Sequence, residues 1–231
     1  MKWGFYYLIN ILGLVQICAQ NKGTVSMDGP SILKLKNSTL LVCLESHQNK
    51  LSHYKKAASA SDCNAKCKQK IAENIAEIET SRDLFNKAFI KAFKNYYKFN
   101  SYVFCYDMNL AELKLNQFKG TYFLNDSLIS ESQSKINPDS LFILFKTTTP
   151  NGGSEAWMFQ TSDGILLDHG FPFINENNFK SNLTRIASTD HIQKNVKNWV
   201  RNLNKDLTKY YYKIQSKRAD GAYEFENCKL S

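Results

Sequence analysis

Cys63 and Cys67 are the two side chains in this sequence best spaced to share a ligand. Within Cys63-Asn64-Ala65-Lys66-Cys67 they stand four residues apart, so on a helix both sulfurs fall on one face. Two thiolates there can take a soft metal such as zinc, with His47 or His53 from the preceding segment completing the set. Structural zinc sites usually carry tighter paired spacings, however, and nothing in the chain repeats this one. The same thiols can close as a disulfide in a frayed first turn, although regular helical geometry suits that bond poorly. Plain surface or packing thiols are the simplest alternative.

A second cluster gathers Asp163, Asp168 and His169 around a run of short strands. Asp168-His169-Gly170 falls at a strand end, where acid–base residues often sit, so a hydrolase using Asp168 and His169 is an alternative function. Against it, Asp163-Gly164 is a turn signature first, and no G-x-S-x-G elbow supplies a nucleophile. Asn151-Gly152-Gly153-Ser154 lacks the Gly-Lys-Ser/Thr ending of a phosphate loop, and Ser154 is a turn serine. His191 suits a helix first turn better than a ligand role. Asn37, Asn125 and Asn182 open N-x-Ser/Thr sequons, which matter only where the source organism glycosylates them. No catalytic, cofactor or metal motif stands above background, and the leading expectation is a non-enzymatic protein without a cofactor.

The best functional candidate is a charged stripe. Lys194, Lys197, Arg201, Lys205 and Lys209, continued by Lys213, recur along one side of a periodic segment from about 190 to 214. Ile192, Val196, Trp199, Leu203, Leu207, Tyr210 and Ile214 share the other side. Ser188 or Thr189 caps this amphipathic helix, and Asp190 favours its first turn. Such a stripe can dock on an anionic polymer or a membrane surface. Its bland counterpart is the solvated face of a helix packed by its other side.

The elements that must position these residues follow from three uninterrupted apolar runs. Leu40-Leu41-Val42-Cys43-Leu44, Tyr102-Val103-Phe104-Cys105-Tyr106 and Leu141-Phe142-Ile143-Leu144-Phe145 do not alternate. They predict strands covered on both faces, with helices as the natural cover. Cys43 and Cys105 read there as small apolar filler, with a Cys43–Cys105 bridge as the alternative. A long helix over about 62–97 is predicted from Ile71, Ile75, Ile78, Phe85, Phe89, Ala92 and Tyr96. Arg82 interrupts that stripe, Ser61 or Asp62 caps it, and Thr80-Ser81 is a potential break. Residues 21–37 read as an extended lead-in, 46–61 as a polar segment, and 109–118 as a short helix. Strands are expected at 121–124 and in a hairpin of 155–160 with 165–168. The fold expected is α/β (or α+β): a single domain over 20–231 whose mixed sheet is flanked by the 62–97 and 190–214 helices, with a loosely held tail at 215–231.

The start of the chain predicts where it works. Lys2 precedes the uncharged, largely apolar stretch Gly4 to Ile17, and Cys18-Ala19 leads into the polar Gln20-Asn21-Lys22. That order is a secretory signal peptide, 1–19, cleaved before Gln20. The apolar run is shorter than the roughly 20 residues of a membrane span, so a retained anchor is the lesser alternative. Lipid attachment at Cys18 is disfavoured by bulky Ile17. Cleavage leaves 212 residues with net charge +8 and no further transmembrane segment. At 43% hydrophobic and 22% charged, the full sequence has an ordinary globular composition, able to build a core without a disulfide framework. Its basic balance favours anionic surfaces. For an exported chain an envelope polymer, or another envelope protein, is the expected partner in preference to nucleic acid. Five cysteines remain after cleavage, Cys43, Cys63, Cys67, Cys105 and Cys228, so at least one lacks an intramolecular partner.

Ala88-Phe89 through Tyr97-Lys98-Phe99-Asn100, followed by the strand from Tyr102, resembles a pattern in uncharacterised exported proteins of Bacteroidetes. In that group a long helix ends in an aromatic-rich F-K-x-x-Y-x-F stretch and enters a strand. Gly120 to Leu128 and the basic helix around Val196 to Tyr211 are similar as well. The resemblance spans most of the mature chain on aromatic and apolar positions. It implies export and a bacterial envelope setting, and brings no activity, cofactor or catalytic residue. The expected function is therefore an exported, periplasmic or envelope-associated binding protein. A hydrolase at Asp168/His169 and a metal protein at Cys63/Cys67 stand as alternatives.

Overall fold

The three apolar runs lie side by side at the centre of one mixed sheet in the computed structural model of this chain. The structure describes residues 28–133, 136–150, 153–167, 170–175 and 189–219. The expected signal peptide, Asp168, His169, Cys228 and the tail beyond 219 lie outside them. Strand β1 (Thr39–Leu44) pairs in parallel with β2 (Ser101–Tyr106) on one side and with β5 (Leu141–Thr148) on the other. The outer strands β3 (Gly120–Leu124), β4 (Ser130–Gln133), β6 (Glu155–Thr161), β7 (Leu166–Leu167) and β8 (Ile174–Asn175) all pair antiparallel. The order across the sheet is β4-β3-β2-β1-β5-β6-β7, with β8 also on β6.

Five α-helices accompany the sheet in the described residues: α1 (Asp28–Lys36), α2 (Gln48–Ala58), α3 (Ala65–Tyr96), α4 (Leu110–Leu115) and α5 (Thr189–Ala219). One sheet face presents Leu40, Val42, Leu44, Phe104, Phe142, Leu144, Trp157 and Phe159 to a core shared with α1, α3 and α5. Phe89 of α3 stacks on Trp157 with ring centroids 4.6 Å apart, and Phe93 meets Phe104 edge-on at 5.7 Å. Burying each such side chain contributes about 1.5–3 kcal/mol, so this face dominates stability. Leu41, Cys43, Cys105, Phe123 and Ile143 point the other way, against Leu113 of α4, Phe118 and Ile136.

Helical cover on both faces is what the apolar runs predict, and the sheet has it, unequally divided. Among the described residues α1 and the long helices α3 and α5 share one core, and only the short α4 and loop residues join the other. The lead-in is helical from Asp28, because Pro30 sits in the first turn, where its missing N–H costs nothing, and Ile32 and Leu35 are buried. The polar segment 46–61 contains α2, which buries only Leu51 and is built of good helix formers. Helix α3 begins at Ala65 rather than Asp62, capped by Asn64, whose side chain accepts from the Cys67 N–H at 3.0 Å. It passes through Thr80-Ser81 unbroken. Helix α5 runs to Ala219, so 215–219 continue the helix rather than opening the loose tail.

Candidate functional site

Helix α5 owes its orientation to Ile192, Val196, Val200, Leu203, Leu207 and Ile214, all buried against the sheet-side core. Helical periodicity then turns Lys194, Lys197, Arg201, Lys205 and Lys209 outward, and all five are exposed, as is Lys213. Fifteen steps of about 1.5 Å spread the five over about 22 Å. Ion pairs among the described residues include Lys70–Glu73, Arg82–Asp83, Lys94–Asp126 and Lys146 with Glu45 and Glu155. None involves the stripe. The Lys197 ammonium lies 5.4 Å from the centroid of the Tyr96 ring, a cation–π contact that leaves it exposed. The arrangement can make several long-range contacts with an extended anion, each weakened by salt.

Cys63 and Cys67 form a disulfide. The cap explains how: Asn64 is extended, Cys63 precedes it outside the helix, and the Cα atoms stand 5.4 Å apart. That separation is ordinary for a disulfide and is not set by helical geometry. The bond consumes both thiolates, which corrects the readings of these residues as metal ligands or free thiols. His53 is exposed on α2, and His47 adopts a left-handed backbone with φ 54° just before that helix. No group of three metal-ligating side chains gathers among the described residues.

The Asp163 position is a turn, as its spacing suggests: it is exposed and accepts from the Thr161 hydroxyl, and Gly164 supplies φ +91°. Asp168 and His169 lie outside the described residues. His191 meets the Asn195 amide, one turn on, at 3.2 Å. Cys43 and Cys105 are free and buried.

Sequence reasoning missed a polar cluster at the carboxyl ends of the parallel strands, the edge where α/β sheets place ligands. Lys146 bridges Glu45 at 3.1 Å and Glu155 at 3.2 Å. Asp107 accepts from the Ser46 N–H at 2.9 Å, and Arg82 donates to the Ser46 carbonyl at 3.3 Å. Asn86, fully buried on α3, donates to the Glu45 carbonyl at 3.0 Å, while its Oδ1 finds no hydrogen-bond partner. Burial pushes the nearby Tyr106 phenol above its ordinary pKa. Arg82 and Asn86 brace the end of β1 against α3, while Lys146 is shared between the carboxylates of Glu45 and Glu155. The available signals were Arg82 and Asn86 inside an apolar stripe, and an acidic residue just after each of the first two strands. An open cleft of about 440 Å³ at the sheet is bordered by Leu33, Lys34, Asp139, Phe142 and Arg218, and another of about 210 Å³ lies between α2 and α3 beside His47.

Comparison with family models, with curated proteins and with solved structures finds no match to this chain.

Proposed function

We propose that this chain is an exported, periplasmic or envelope-associated protein that binds an anionic envelope polymer through the outer face of α5, without catalysing a reaction. The observation that carries the proposal is the row Lys194, Lys197, Arg201, Lys205 and Lys209, exposed together and joined to no carboxylate among the described residues. A helix needs a polar outer face, but it does not need five cations aligned along it, against which the same stretch of sequence sets a single exposed carboxylate, Asp206. Two features support export: the apolar leader ending in Cys18-Ala19, and a disulfide at Cys63–Cys67, a bond that persists in oxidising compartments.

The test replaces Arg201 and Lys205 together by Gln and measures binding to an acidic polysaccharide across a salt series. Weaker binding at low salt, converging with the parent as salt rises, is the expected result, with thermal stability unchanged. Equal binding at every salt concentration would reduce the stripe to solvated surface. For export, peptide mass spectrometry of the secreted or periplasmic protein should find Gln20 as the first residue, and Met1 there would overturn the assignment.

A further inference from the structure

Cys43 and Cys105 occupy the same register position on neighbouring parallel strands β1 and β2. Their sulfurs are 3.6 Å apart, and the residues are 1% and 0% exposed. Parallel strands lie about 4.8 Å apart, inside the range of Cα separations that disulfides span. Bonding distance is about 1.6 Å shorter, so closing the bond takes side-chain rotation together with a small approach of the two strands. Leu41, Leu113, Phe123 and Ile143 belong to the same buried cluster.

We propose that Cys43 and Cys105 are a cross-strand oxidation site, a dithiol that closes to a disulfide while β1 and β2 come together and is sealed once the fold is complete. The step consumes a small-molecule or protein disulfide as oxidant. One cysteine thiolate attacks it and releases a thiol, forming a mixed disulfide. The second cysteine thiolate then displaces the remaining half as a second thiol. The two cysteines are oxidised and the incoming disulfide is reduced, its two sulfurs leaving with the two protons. Timing follows from the site. Exchange needs a thiolate and access, whereas in the folded protein the hydrogen bond to Cys43, followed by burial, holds the Cys105 thiol well above its ordinary pKa. The Cys63–Cys67 bond differs, because Cys67 is part-exposed at the surface and open to reductant after folding.

The experiment unfolds the full chain in denaturant and reductant and refolds it along two routes. In one, oxidised glutathione is present during refolding; in the other it is added only after folding under reductant. Excess reagents are removed, and free thiols are alkylated in denaturant and located by peptide mapping. The first route should yield a linked Cys43–Cys105 peptide pair, about 2 Da lighter than the dithiol for the two hydrogens lost. The second should leave both residues free for alkylation after hours with the oxidant, while Cys63–Cys67 closes. Far-UV circular dichroism identical between the routes shows that both products are folded. Free Cys43 and Cys105 in folded protein from the first route would overturn the proposal, as would equal bridging by both routes.

Discussion

The two halves of α3 keep one apolar spacing and meet different surroundings. From Asn86 onward, Ala88, Phe89, Ile90, Ala92 and Phe93 are buried on the sheet. In the first twenty residues Ile71, Ile75 and Ile78 are only partly covered, α2 is the helix packed alongside, and no position is buried. Spacing at three and four tells which side of a helix is apolar. How deeply that side is buried depends on what the rest of the chain brings to it. Trp157, which stacks on Phe89, comes from β6, far along the sequence.

Phe89→Ala should separate the halves most. The ring is fully buried between Trp157 and Phe93, so its loss should cost about 3–5 kcal/mol in denaturant unfolding. A cost below about 1 kcal/mol would show that the second half is no better anchored than the first. Ile75→Ala should cost less than about 1 kcal/mol by the same measurement, because its side chain is already partly in water. A loss comparable to that of Phe89→Ala would erase the contrast. The smallest effect concerns the tip, where Lys66 and Lys68 stand near the positive end of the α3 dipole and no acidic residue occupies the first turn. Replacing both by Glu should raise stability by a few tenths of a kcal/mol, read as a small rise in Tm at low salt. A fall in Tm would mean that these lysines help hold α3 against α2.

Much of the architecture was legible in the amino-acid order for identifiable reasons. Runs such as Leu40 to Leu44 advertise themselves because both sides of the strand are buried. Helix α5 does so because one side is apolar and the other cationic. Helices α1 and α2 were hidden, the first by the glycine and proline near its start and the second by its near lack of buried positions. At the candidate site the five cations could be read from their spacing on α5. The Glu45–Lys146–Glu155 brace could not, because parallel pairing of β1 with β5 joins residues about a hundred positions apart. The Cys63/Cys67 spacing was visible, yet its outcome turned on a helix starting three residues later than expected.

Strand β1 is the first strand in the described chain and lies at the middle of the sheet. Thr39 pairs with Ser101 on one side and with Leu141 on the other, so neither neighbour is local. Closing such wide loops carries an entropic cost that later contacts must offset, which slows formation of this part of the sheet. As the chain emerges from synthesis, Leu40-Leu41-Val42-Cys43-Leu44 waits without its partner strands until residue 106 is available. It then keeps one open edge until 148 follows. An uncharged apolar segment exposed for that interval is prone to pair with other chains. The centre of the finished sheet is thus the most vulnerable stretch of the nascent one, and a holding factor that shields it has its clearest task there.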